Sequence, residues 1–128
     1  MKNLWSWVFM LAAALLIPLS MRFCGELLLR RPPEDINSAY GYRTERSMRS
    51  QDAWAFAQTF CGRFWVRTSR PVLAASIIWM LPLWGQEIGG MSSAVLLLLA
   101  LQMIPFLAVL PITEGALRRE FNQYGRKR

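Results

Sequence analysis

The sequence predicts an all-α integral membrane protein with three transmembrane helices and one amphipathic helix at the cytoplasmic interface. Three observations lead to this prediction. The 128-residue chain is 54% apolar and yet carries a net charge of +7. Its basic residues are segregated into blocks that flank nearly uncharged runs. The longer of these runs are close to the ~20 apolar residues that a helix needs to cross a bilayer. At this length we expect a single membrane domain, residues 1–128.

The first predicted span covers residues 4–21, an uncharged run, and continues as a helix to about residue 29. Pro18 lies inside it, and we expect a neighbouring helix to supply a partner for the carbonyl that this proline leaves free. Pro32 and Pro33 end the helix. The alternative is a cleaved signal peptide. Cleavage would export a segment with nine arginines, against the positive-inside tendency.

A polar loop at residues 32–49 follows, and we call it the signature loop. The next helix is predicted for residues 50–70, with Ser47 or Ser50 as its N-cap and Asp52 in its first turn. Aromatic and basic side chains recur along this segment at helical spacing, which is typical of a helix in the membrane interface. We therefore expect this helix to lie on the cytoplasmic surface of the membrane.

Pro71 separates the interfacial helix from the second predicted span, residues 72–86. At 1.5 Å per residue this run reaches about 22 Å, less than the ~30 Å of a hydrocarbon core. We therefore expect it to lie against neighbouring helices or where the bilayer is thin. The third span covers residues 93–112. A basic, amphipathic tail at residues 113–128 lies on the same membrane surface as the signature loop.

The distribution of positive charge predicts the orientation in the membrane. Nine arginines lie between the first and second spans and five basic residues follow the third, whereas Lys2 is the only basic residue before the first span. Cytoplasmic segments carry the excess of Lys and Arg, so we predict an N-terminus outside and a C-terminus in the cytoplasm. The basic blocks also predict anionic lipid headgroups as partners.

The longest polar stretch, residues 37–54, holds a spaced series of polar, aromatic and small residues. The series consists of Asn37, Tyr40, Gly41, Tyr42, Arg43, Thr44, Ser47, Met48 and Trp54. With its neighbours Pro32, Pro33, Ile36, Ala57 and Gly62, this series closely resembles the signature of the SdpI family of small bacterial membrane proteins.

The resemblance implies a function that composition and spacing do not. The family takes its name from an immunity protein that protects its producer against a secreted antimicrobial peptide toxin. The resemblance therefore implies a multi-pass protein of the bacterial cytoplasmic (inner) membrane that gives immunity to a membrane-active peptide. It also implies signalling to a cytoplasmic partner as an additional role. Larger members carry further spans and an extra N-terminal domain, which the single membrane domain expected here does not include. This difference weakens the expectation of signalling more than that of protection.

The candidate binding residues are the signature series and two side chains outside it. Arg43 presents a planar fork that can hold a carboxylate or a phosphate. Glu26 either pairs with Arg22, four residues before it, or enters the inner leaflet as a buried acid. Gln102, near the middle of the third span, is expected to face another helix or to contact a substrate. The signature residues also admit a purely structural interpretation, in which they only fix the loop.

The alternative function is a small transporter or channel for a small anionic ligand. Three spans are few for a transport pathway, so this function requires a homo-oligomer. Arg43 would then clamp the ligand, and Glu26 or Gln102 would line the route.

Other classes of function find little support in the sequence. The chain has no histidine, and Cys24 and Cys61 are two separated cysteines, so we expect no metal site and no cofactor. The sequence shows no nucleophile–base pair, no paired carboxylates and no phosphate-binding loop, which predicts a protein that is not an enzyme. Arginines that flank hydrophobic spans favour lipid over nucleic acid as a partner.

Overall fold

The computed structural model describes residues 2–37 and 40–128, with side chains from residue 4 onward. The regular structure in this part of the chain is helical. The long helices are α1 (Lys2–Arg30), α2 (Gln51–Met80) and α3 (Ile88–Glu120). A 3₁₀ turn at Leu81–Leu83 follows α2. The predicted all-α class agrees with this architecture.

Helix α1 contains the predicted first span and its continuation, and it ends two residues before the Pro32-Pro33 pair. Pro18 lies inside it and has no N–H, so the carbonyl of Ala14, four residues earlier, has no partner within the helix. Gln102 of α3 supplies that partner, because its Nε2 donates to the Ala14 carbonyl oxygen at 2.7 Å. The expectation that a neighbouring helix satisfies this carbonyl is confirmed.

Helix α2 begins at the N-cap Ser50, whose hydroxyl accepts a hydrogen bond from the Ala53 N–H at 3.0 Å. Asp52 lies in the first turn, as expected from the helix dipole. The sequence predicted a break at Pro71, but α2 runs through this residue to Met80 without interruption. The segments predicted as an interfacial helix (50–70) and a second span (72–86) therefore share one helix. Residues 81–86 of the predicted second span lie beyond its end.

Buried serines with intrahelical hydrogen bonds flank Pro71 where α2 runs through it. A proline inside a helix removes one backbone hydrogen bond, which neighbouring contacts can offset. Pro71 itself is exposed, whereas Ser69 and Ser76 on either side of it are buried. Their hydroxyls bond to carbonyls of the same helix, from Ser69 to Val66 at 2.8 Å and from Ser76 to Val72 at 2.7 Å.

Helix α3 extends the predicted third span (93–112) in both directions. Residues 113–120 of the predicted tail are helical, and Arg118 and Arg119 lie in the last turn, where positive charge suits the helix dipole. The residues after α3 fold back toward the start of α2, where the Ser50 hydroxyl donates to the Gly125 carbonyl at 2.6 Å. The tail therefore docks beside the signature loop.

The three helices form an up–down–up bundle, as contacts along its length show. At one end, the Trp7 indole donates to the carbonyl of Met80, the last residue of α2, at 2.8 Å. Farther along, α1 and α2 touch through their backbones at Gly25 and Gly62. A Cβ added to either glycine would lie 2.9 Å from the carbonyl oxygen of the other, so both positions require glycine for this approach.

Two apolar clusters form the core, one toward each end of the bundle. The cluster beside the signature loop includes Tyr42, Cys61 and Val109. The cluster at the opposite end includes Ala14, Met80 and Leu98. A polar group lies between them, because the Nε2 of Gln102 donates to Ser76 Oγ at 2.6 Å as well as to the Ala14 carbonyl. The expectation that Gln102 bonds to another helix is confirmed.

The outer surface of the bundle is apolar over much of its length. Large apolar side chains such as Phe9, Ile78 and Ile104 are each about two-thirds exposed or more. Among the described residues, two helices are long and apolar enough to cross a membrane, Leu4–Arg30 and Ile88–Glu120. Helix α2 is not one of them, and Arg63, Arg67 and Arg70 lie near its middle.

Candidate functional site

The signature loop is held in shape by its own side chains. The Oδ1 of Asn37 accepts from the Tyr40 N–H at 2.8 Å, and its Nδ2 donates to the Asp35 carbonyl at 3.0 Å. The Tyr40 hydroxyl donates to the Arg31 carbonyl at 2.6 Å, just beyond the end of α1. Asn37 and Tyr40 thus fix the loop to the first helix.

Gly41 allows the loop to approach α2 closely. Its φ of 105° lies in the region that favours glycine, and an added Cβ would lie 2.6 Å from Gln58 Oε1 and 2.8 Å from Pro33 Cγ. Gln58 is fully buried and pairs with the backbone of Tyr42. Its Oε1 accepts from the Tyr42 N–H at 2.6 Å, and its Nε2 donates to the Tyr42 carbonyl at 2.8 Å. Sequence reasoning missed Gln58, since nothing local distinguishes a glutamine in a helix.

Thr44 and Ser47 close a turn in the second half of the loop. The Thr44 N–H donates to Ser47 Oγ at 2.9 Å, and the Ser47 N–H donates to Thr44 Oγ1 at 3.2 Å. Met48, the next residue of the series, is exposed. Trp54 lies beneath the loop, fully buried, and its indole donates to the Pro33 carbonyl at 2.6 Å.

The loop is joined to α3 by Glu114, a residue that sequence reasoning missed. Its Oε1 accepts from the Tyr42 hydroxyl at 2.8 Å and from the Thr44 hydroxyl at 2.6 Å. Its Oε2 lies 3.6 Å from Arg46 Nε. Burial, followed by the hydrogen bond to this carboxylate, raises the pKa of Tyr42 well above its ordinary value. The phenol therefore stays protonated and remains a donor at neutral pH.

Arg43 differs from the other polar residues of the series. Its side chain is exposed, and no described residue gives it a hydrogen bond or an ion pair. The residues on either side of it, Tyr42 and Thr44, are both bonded to Glu114. The loop thus places a free guanidinium on a backbone that is fixed on both sides.

A cavity of about 440 Å³ lies beneath this part of the loop, between all three helices. Its wall is formed by apolar side chains of the helices and by four consecutive loop residues. The lining residues are Cys24, Leu27, Leu28, Tyr40, Gly41, Tyr42, Arg43, Cys61, Trp65, Phe106, Val109 and Leu110.

The other two predicted binding residues lie outside this cavity. Glu26 is partly exposed and pairs with Arg22 at 2.9 Å, the local ion pair that its spacing allowed. Gln102 lines a separate cavity of about 270 Å³ between α2 and α3. The structure does not bring Glu26 and Gln102 together with Arg43. In the described part of the chain, no three Cys, Asp or Glu side chains cluster in a way that could hold a metal ion.

Fold and site together define a small all-helical protein with two helices long and apolar enough to cross a membrane and a structured polar loop at one end of the bundle. The chain belongs to the SdpI/YfhL protein family, whose sequence model matches residues 34–113. This match confirms the resemblance seen in the signature residues. It covers most of the signature loop, all of α2 and α3 up to the residue before Glu114. Comparisons with curated proteins and with solved structures gave no significant match.

Proposed function

We propose that this protein is a multi-pass membrane protein that protects a bacterium against a membrane-active antimicrobial peptide, without enzymatic activity. Membership of the SdpI/YfhL family supports a role of the immunity type. The observation that carries the proposal further is the state of Arg43. It is the one charged side chain of the signature series, and the described structure leaves it unpaired beside an apolar cavity. This group is therefore free to bind an anionic group of a ligand at the loop.

The proposal includes an arrangement in the membrane with three spans. The long helices measure about 45–50 Å at 1.5 Å per residue, more than the ~30 Å of hydrocarbon. In this proposed arrangement the excess is at the end of the bundle where the signature loop and the basic tail meet beside the start of α2. We place this end in the cytoplasm, beside anionic headgroups. The second predicted span, residues 72–86, completes the set of three, and the N-terminus lies outside.

The same arrangement supports a docking surface for a cytoplasmic partner, as an additional role. The loop and the tail meet at Ser50 and Gly125, so that both present their charges on one surface. A signalling partner would therefore contact the loop and the tail together.

The experiment is survival of a sensitive bacterium under a panel of membrane-active peptides, at matched membrane abundance of each variant. We expect the natural chain to protect and Arg43→Ala to fail. Arg43→Lys is expected to fail nearly as completely, since an ammonium group cannot reproduce the planar fork. The control is Arg126→Ala, which removes one exposed positive charge from the tail.

Two outcomes would contradict parts of the proposal. Protection by Arg43→Ala would keep the immunity role and reduce Arg43 to a surface charge. Absence of protection by the natural chain, properly inserted, would contradict the immunity role. Ligand flux in liposomes would then test the transporter.

A further inference from the structure

We propose that the cavity under the signature loop holds one acyl chain of an anionic membrane lipid, with the phosphate of that lipid bound by Arg43. This lipid site is separate from the protective role, and it stands on the lining of the cavity and on its charge.

The size and lining of the cavity suit an apolar chain. Its volume of about 440 Å³ falls within the ~300–1,000 Å³ of small-molecule sites. The helices contribute leucine, valine, phenylalanine and tryptophan side chains and two thiols to the wall. Burial of hydrocarbon against such a wall is favourable in proportion to the apolar area that it covers.

Apart from the Arg43 guanidinium and the two thiols, the polar side-chain groups of the lining already bond within the protein. The Tyr40 hydroxyl donates to the Arg31 carbonyl, and the Tyr42 hydroxyl donates to Glu114. The Trp65 indole donates to the Phe106 carbonyl at 3.3 Å. A peptide in the cavity would bring backbone N–H and C=O groups that find few partners there, at a cost for each group. An acyl chain brings no such groups, which favours lipid over peptide as the occupant.

The charge at the mouth of the cavity selects the headgroup. Arg43 is exposed at the loop side of the cavity and has no acidic partner among the described residues. The nearest acid on α3, Glu114, is bonded to Tyr42 and Thr44 and faces Arg46. A guanidinium binds phosphate through two parallel hydrogen bonds, so an anionic phospholipid satisfies both the head and the chain of this site.

The loop presents this site in a preformed shape. Gln58 holds both backbone groups of Tyr42, and Gly41 allows the close approach to α2 that this pairing needs. Little loop ordering therefore remains to oppose binding. Leu110 is exposed on α3 and lines the cavity as well, which gives a chain a route from the bilayer.

The test is native mass spectrometry of the full chain in mild detergent, titrated with dioleoyl phosphatidylglycerol. Dioleoyl phosphatidylcholine supplies the same chains without the net charge, and glycerophosphoglycerol supplies the headgroup without the chains. We expect one tightly retained phosphatidylglycerol, weaker retention of phosphatidylcholine and no retention of the headgroup alone.

Two variants and one control locate the lipid. Arg43→Gln is expected to weaken the retained phosphatidylglycerol about fivefold, the factor that matches the headgroup attraction of one arginine near a membrane surface. Cys24→Phe fills the cavity and should remove the tight site, with circular dichroism as the check that the helices are intact. The control Arg67→Gln removes a cation from a separate surface hollow on α2 and should leave retention unchanged.

Unchanged retention in both Arg43→Gln and Cys24→Phe would overturn the lipid site, and so would an equal loss in Arg67→Gln. If Arg43→Gln and Cys24→Phe both retained the lipid but no longer protected cells, the cavity would be the binding site of a peptide and not of a lipid. A chain that binds the lipid at Arg43 and gives no protection would overturn the proposed function and leave this inference standing.

Discussion

At the scale of single residues, Glu114 joins the signature loop to α3. One carboxylate accepts the hydroxyls of Tyr42 and Thr44 and lies beside Arg46. The Glu114 side chain is 24% exposed, so water reaches it and can replace these bonds in part. Charge-assisted hydrogen bonds of this kind are about twice as strong as neutral ones. Both neighbours of Arg43 are thus bonded to the same side chain of α3, and the Tyr42 hydroxyl also lies 3.4 Å from the Leu110 carbonyl oxygen.

We expect Glu114→Ala to destabilise the protein by about 2 kcal/mol, because two buried or half-buried hydroxyls lose their acceptor. Glu114→Gln keeps an acceptor oxygen and should cost about 1 kcal/mol or less. Thermal unfolding in detergent, followed by circular dichroism, measures both. Glu120→Ala, an exposed acid in the last turn of the same helix, is the control and should unfold as the natural chain does. An equal effect of Glu114→Ala and Glu120→Ala would show that the contact contributes nothing.

The sequence predicts the residues of the site better than their partners. Asn37, Gly41 and Trp54 belong to a recognisable series, and local chemistry explains the turn at Asn37 and the positive φ of Gly41. Glu114 and Gln58 do not belong to it, because they meet Tyr42 only after the helices pack, 72 and 16 positions away in the chain. Neither contact leaves a local pattern in the sequence. The alternative that the signature residues fix the loop agrees with most of these contacts, and Arg43 is the exception.

At the scale of helices, the approach of α1 to α2 depends on two glycines. A helical glycine ordinarily costs up to about 1 kcal/mol relative to alanine. Gly25 and Gly62 offset this cost by allowing the two backbones to touch. The position of Pro71 shows the limit of sequence reasoning at this scale. A proline predicts a helix boundary from local chemistry, but α2 continues through Pro71, with buried residues on both sides of it.

We expect Gly62→Ala to destabilise the protein by about 1–3 kcal/mol, since the new methyl group would lie 2.9 Å from the Gly25 carbonyl oxygen and force the helices apart. Gly115→Ala on α3 is the matched control, because nothing lies within 4 Å of its added Cβ. It should stabilise the protein by up to about 1 kcal/mol through helix propensity. The free energy of unfolding in mixed micelles measures both variants. Stabilisation by Gly62→Ala would contradict the backbone contact.

At the scale of the whole molecule, one side chain joins all three helices. Pro18 leaves the Ala14 carbonyl of α1 without a partner, and Gln102 of α3 donates to that carbonyl and to Ser76 of α2. Gln102 and Ser76 are buried but belong to neither apolar cluster, and the Gln102 amide donates to both Ser76 and the Ala14 carbonyl. The sequence predicted both the proline and the glutamine as residues in need of a partner. The sequence could not show that Gln102 donates to the carbonyl that Pro18 leaves free, because 84 positions separate the two residues in the chain.

A double-mutant cycle tests whether this contact holds the bundle together. Gln102→Leu should cost about 1–2 kcal/mol in the natural chain, because the Ala14 carbonyl is left without a donor. In a Pro18→Ala background the new N–H of residue 18 bonds to that carbonyl within α1, so the same change should cost less, by about 0.6 kcal/mol or more. Unfolding free energies of the four proteins in mixed micelles give the coupling. Gln123→Leu, an exposed change in the tail, should cost nothing in either background. Equal costs of Gln102→Leu in both backgrounds would mean that the helices are joined by apolar packing alone.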